Sequence, residues 1–136
     1  MKKIGLDVGD VRIGIAVSDM LGICANSRES YRRVNDDVDI EYFIKLARDE
    51  NADTFVVGLP INMDGTEGKR AEVTREFATK LQEKSGIPVE FQDERLSTVS
   101  AERVLLEADM SRNKRKKVID AVAACIILQS YLDKRR

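Results

Sequence analysis

Lys3-Ile-Gly-Leu-Asp7-Val-Gly9-Asp10-Val-Arg12-Ile-Gly14-Ile-Ala-Val-Ser18 reads as a buried strand, a turn and a second, alternating strand. Gly9-Asp10 has the composition of a two-residue hairpin turn, so residues 3–8 and 11–18 are expected to pair antiparallel. A third strand from about Gly22 to Tyr31 extends this into a meander. From there the period changes. Ile40, Phe43, Ile44 and Ala47 recur at helical spacing between Asp37 and Asn51. Thr54-Phe-Val-Val-Gly58 is a short all-apolar strand of the kind buried on both faces.

Gly58-Leu-Pro-Ile-Asn-Met-Asp-Gly65 is a loop rich in turn residues, and Lys69–Ser85 is the next helix, with Val73, Phe77, Ala78 and Leu81 expected inside. Gly86-Ile-Pro88 ends it. Val89–Gln92 reads as a fifth strand, Ser97–Ala108 as an amphipathic helix and Lys114–Lys134 as a final helix. The pattern implies an α/β fold with a five-stranded mixed sheet: an antiparallel three-strand meander, then parallel strands joined by helical crossovers. Sites in such sheets form at the carboxyl ends of the parallel strands. The 136 residues suit a single domain over 1–136.

The composition contains no histidine. That excludes Ser-His-Asp and Cys-His catalysis, paired-histidine RNA cleavage and an ordinary catalytic zinc site. Carboxylates remain, and they favour hard cations such as Mg2+ or Mn2+. Two cysteines, Cys24 and Cys125, are too far apart for a metal motif and read as core or strand residues. No apolar run reaches membrane-span length and the start lacks a signal region, so a cytoplasmic protein without membrane contact is expected. Net charge is −1, yet Arg112–Lys117 and Lys134–Arg136 are dense basic runs. Such runs are either solvated surface or phosphate contacts.

Three acids stand out from their surroundings. Asp7 lies at the carboxyl end of an apolar strand, where a bare carboxylate costs several kcal/mol. It either caps the following turn or binds a cation. Asp93-Glu94-Arg95 follows the fifth strand and so shares the same rim; strand parity sends one acid into the cleft, and Glu94 is favoured. Asp120 sits in Val118-Ile-Asp-Ala-Val-Ala-Ala-Cys-Ile-Ile-Leu128, apolar on every side, and needs Lys116, Lys117 or a metal as partner. Three converging carboxylates repel unless a cation holds them. Such a cation also suits phosphodiester hydrolysis.

Taken in order, Ile4–Asp19, Gly58-Leu-Pro60…Asp64-Gly65, Asp93-Glu-Arg-Leu-Ser97 and Lys117…Asp120-Ala…Ala124 resemble the motifs of the YqgF family, also called RuvX, across essentially the whole chain. The resemblance implies a ribonuclease H-like fold and a nuclease that processes the 5′ end of pre-16S ribosomal RNA. An older reading of that family, by likeness to the RuvC resolvase, is cleavage of Holliday junctions. Asp7, Glu94 and Asp120 match the family's acidic triad, as catalytic residues and metal ligands. Arg12, Arg95, Lys116 and Lys117 are candidate substrate contacts, with nucleic acid as partner (pre-rRNA first, branched DNA second) and ribosomal particles as a further one. Junction cleavage calls for a two-fold dimer, whereas cutting one RNA strand does not. A non-catalytic nucleic-acid factor keeping the same fold is the alternative that the sequence leaves open. The loop at 62–70, ending in Lys69 and Arg70, reads as flexible, either closing over substrate or lying plainly on the surface.

Overall fold

The computed structural model describes residues 1–93 and 112–134, with 112–121 as backbone only. β1 (Lys2–Val8), β2 (Arg12–Ser18) and β3 (Ala25–Arg32) form the meander. Helix α1 (Asp36–Glu50), β4 (Ala52–Leu59), α2 (Lys69–Ser85), β5 (Val89–Asp93) and α3 (Arg112–Lys134) follow. The sheet order is β3-β2-β1-β4-β5. β1 pairs antiparallel with β2 and parallel with β4, and β5 runs parallel to β4. This is the mixed sheet expected from the change of period along the chain. The expected helix at Ser97–Ala108 lies outside the described residues.

The two faces of the sheet are packed differently. Ile4, Leu6 and Val8 alternate onto one face with Phe55 and Val57, where they meet Ile40 and Phe43 of α1 and Phe77 and Leu81 of α2. On the other face Ala16 and Val56 meet Ala124, Ile127 and Leu128 of α3. A Cβ added to Gly5 would stand 2.7 Å from the Leu128 Cβ and 3.1 Å from the Ala124 carbonyl. Glycine at this position therefore sets how closely α3 lies on β1.

α3 is also tied to both edges of the sheet. The Gln129 amide accepts from the Ala25 N–H (2.9 Å) and donates to the Ile23 carbonyl (2.8 Å), beside edge strand β3. At the opposite edge the Tyr131 hydroxyl donates to the Glu90 carboxylate on β5, and Lys134 Nζ donates to the Gln92 side chain at 3.4 Å.

Several local expectations are corrected. The first turn is centred on Asp10 and Val11, because the Gly9 N–H donates to the Arg12 carbonyl at 2.9 Å. Gly9 is absent from the positive-φ residues; its constraint is space, since a Cβ there would lie 2.7 Å from the same oxygen. β3 starts at Ala25, as Gly22 is taken up in a turn at φ 69°. Val73 is 45% exposed, and Ala71 and Thr74 are buried on α2 beside Phe77, Ala78 and Leu81. Cys24 is exposed rather than in the core. The 62–67 segment is a tied turn: the Asp64 carboxylate accepts from the Thr66 N–H (3.0 Å) and hydroxyl (2.6 Å), and Ile61 bridges Glu67.

Candidate active site

Asp7 is the penultimate residue of β1, half-buried between Leu6 and Val8, both of which point into the α1–α2 core. Alternation puts Asp7 on the opposite face, two residues beyond Gly5 and paired across β2 with Gly14. Arg12 begins β2 and by the same parity shares this face with Gly14 and Ala16.

The direction of α3 follows from its neighbours. Cys125 reaches Ser27 of β3, and Gln129 reaches Ala25, earlier on that strand. α3 thus runs against β3, and so against β1, which is parallel to β3 through two antiparallel pairings. Asp120 is one helical turn before Ala124 in the row 120–124–128, whose later members flank Gly5. Its backbone position therefore falls toward the carboxyl end of β1, where Asp7 stands. Lys116 and Lys117 lie about a turn further back on the same helix.

On β5 the parity is fixed by contacts. Glu90 and Gln92 meet α3, whereas Phe91 lies under the Arg75 guanidinium of α2 at 4.9 Å. Asp93, exposed and paired with Leu59, belongs with Phe91 on the α2 side, away from Asp7's face. Glu94 and Arg95 lie outside the described residues. Among the described residues no group of three or more His, Cys, Asp or Glu stands ready to hold a metal. The donor set that the sequence singles out is nonetheless hard oxygen throughout, and the Asp7 carboxylate is half-buried at the rim, which suits a hard divalent cation.

One buried acid escaped the sequence reading. Asp39 is fully buried on α1, where its carboxylate accepts from Arg33 Nε (2.9 Å) and the Val34 N–H (2.9 Å). Arg33 also donates to Asp36 (2.8 Å) and to the Gly9 carbonyl (3.1 Å), and lies 5.1 Å from the centre of the Phe77 ring. The turn that follows Asp7 is thereby fastened to α1. The signal lay in the spacing: Asp39, Phe43 and Ala47 form one apolar helical row. Tyr31 stands beside this pair, and burial together with its hydrogen bond to Asp39 pushes the phenol up to about 12.

The fold defines the class first: a ribonuclease H-like domain. The Thermus thermophilus RuvC in complex with Holliday junction substrate superposes with a TM-score of 0.62 at 13% identity, covering 99% of this chain and 95% of that one. The Fowlpox virus resolvase with its Holliday junction DNA gives 0.62 at 12% identity, covering 99% of both chains. These likenesses concern the fold. The chain itself belongs to the RuvX family, whose model, described as Holliday junction resolvase, matches residues 1–134. Relatives from Symbiobacterium thermophilum (54% identical, 96% of this chain and 91% of the relative) and Clostridioides difficile (53%, 95% and 92%) are both named "Putative pre-16S rRNA nuclease". A Myxococcus xanthus relative of the same name is 49% identical over all of this chain and 90% of its own length. Among the described residues no helix is long and apolar enough to cross a membrane.

Proposed function

We propose that this chain is a divalent-metal-dependent endonuclease acting on the precursor of 16S ribosomal RNA, with Asp7, Glu94 and Asp120 as the metal-holding acids. The observation that carries the reading is the shared face: Asp7 stands two residues beyond Gly5, and Asp120 one turn before the α3 residue that closes on Gly5. Parity along β5 supports Glu94 over Asp93, because Gln92 lies on the α3 face and Asp93 does not. Bound Mg2+ or Mn2+ supplies Lewis-acid stabilisation of the phosphate charge and a lowered pKa for an attacking water.

The protein's part is placement. Asp7 is held on β1 beside two strands, and Asp120 has its backbone on a helix packed against that strand, the kind of support that fixes carboxylates for an in-line displacement. Arg12 at the start of β2, Arg95 after β5 and Lys116 and Lys117 on α3 are positioned along the chain to neutralise flanking phosphates. The relatives' shared name supports the precursor of 16S ribosomal RNA as substrate.

The test is cleavage of 16S precursor RNA and of a four-way DNA junction by the purified protein with Mg2+ or Mn2+. Cutting of the precursor near its 5′ end, lost on chelation, is the expected outcome. Cutting of the junction alone, by a dimer, would move the substrate to branched DNA, and no cutting of either would defeat the enzyme reading.

A further inference from the structure

On the far side of the rim from Asp7 a cavity of about 240 Å³ opens between the β1–β2 turn and the first turns of α2. It lies below the roughly 300–1,000 Å³ of drug-sized sites, which suits a smaller group. Its apolar lining comes from Val8 and the exposed side chain of Val73. Its cationic lining comes from Lys69 and Arg70 at the start of α2. That helix begins at Gly68, whose cap makes no side-chain hydrogen bond, so its first N–H groups lack the usual side-chain partner. Arg33 in the wall is already engaged by Asp39, Asp36 and the Gly9 carbonyl and acts as a fixed support.

Thr74 supplies an independent sign of a ligand. It lines the cavity, is 3% exposed, and its hydroxyl meets no hydrogen-bond partner among the described residues. A buried hydroxyl without a partner costs about 1–3 kcal/mol, so such groups are rarely left idle. A ligand with an apolar ring, polar ring edges and an attached anion answers every wall: ring on Val8 and Val73, ring edge at Thr74 and Asp10, anion at Lys69, Arg70 and the helix start. The cavity lies across the rim from the proposed cutting site, joined to it by the β1–β2 turn. Gly9 is two residues from Asp7, at most about 7 Å along an extended chain.

We propose that this cavity seats one unpaired nucleotide of the strand being cut, with its base against the apolar lining and its phosphate at the first turn of α2. The proposal rests on the nuclease reading and narrows it to substrates that are single-stranded next to the cleaved bond. A base held in a duplex cannot enter without unpairing.

Binding is measured without divalent metal, using pentauridylate, the same oligomer with one abasic position, a blunt RNA duplex and uridine monophosphate. Thr74→Val removes the hydroxyl at nearly constant volume, and Val73→Leu narrows the cavity at its apolar lining. Each is expected to weaken pentauridylate binding about fivefold or more while leaving duplex binding within roughly twofold. Thr74→Val should at the same time keep or raise the melting temperature, which separates a ligand role from a structural one. The abasic oligomer should bind wild type as weakly as the intact oligomer binds the variants. Unchanged pentauridylate binding, or equal losses on duplex, would overturn the proposal, as would uridine monophosphate binding as tightly as the strand. If the variants bind normally and wild type still cuts, the pocket fails and the nuclease reading stands. If wild type neither binds nor cuts any nucleic acid, the nuclease reading fails and takes the pocket with it.

Discussion

The two faces of this sheet handle buried acid in opposite ways. Beneath α1 and α2 the residues are large, and Asp39 is closed off by Arg33 and the Val34 backbone. Its charge is settled within the fold, and its effect is mechanical: it fastens the turn after β1. Beneath α3 the residues are small. Gly5, Ala16 and Ala124 let α3 approach β1 closely. One face uses a carboxylate to hold the protein together, and the other is where the proposed metal-holding acids stand.

Substitutions that exchange activity for stability sharpen this contrast. Asp120→Asn or Asp7→Asn should lower the cleavage rate about 10³-fold or more, equivalent to roughly 4 kcal/mol of barrier, while leaving the melting temperature level or higher. Activity surviving either change would break the assignment of the α3 face. Asp39→Ala should do the reverse, costing about 2–4 kcal/mol in chemical denaturation because Arg33 loses one carboxylate partner and the Val34 N–H loses its acceptor, with cleavage per folded molecule little altered.

Gly5→Ala should fall between the two. The added Cβ meets the Leu128 Cβ at 2.7 Å and backbone at 3.1 Å, which forces α3 outward at about 1–3 kcal/mol and lowers cleavage as the helix shifts. A neutral result would show that the close approach is dispensable. The smallest effect concerns Tyr31. Its folded pKa, pushed up to about 12, exceeds the ordinary phenol value of about 10, so its contribution is complete below about pH 10 and fades as pH rises through about 12. Tyr31→Phe should flatten this alkaline decline, and a tyrosinate absorbance titration should lose a late-ionising phenol in that variant.

Element order and strand pairing were legible because the hydrophobic period changes from two to 3.6 near Asp37 and because all-apolar Thr54–Gly58 demands cover on both faces. Asp7 was legible as a charge at the end of such a strand. Asp39 was not, since an acid in the first turn of a helix is ordinary for reasons of dipole and capping, and only its place beside Phe43 marks it as internal. Val73 misled for the converse reason: the 3.6 period admits it, but Ala71 and Thr74 fill the interface and leave it at a cavity mouth. Gly9 carried the correct sign of tightness without its cause, because residue type does not say whether a glycine serves φ or space. The tie of the 62–67 turn through Asp64 and Thr66 is local chemistry that composition alone shows only as a loop.

The contact of Gly5 with Ala124 and Leu128 also has a temporal meaning. It joins the first strand to a helix more than a hundred positions later, a closure of high contact order that forms slowly. On the ribosome, β1 with its acid emerges early and waits through the synthesis of the whole sheet for α3 to appear. A nascent chain therefore lacks Asp120, the last acid of the proposed site, until α3 has been made and has docked.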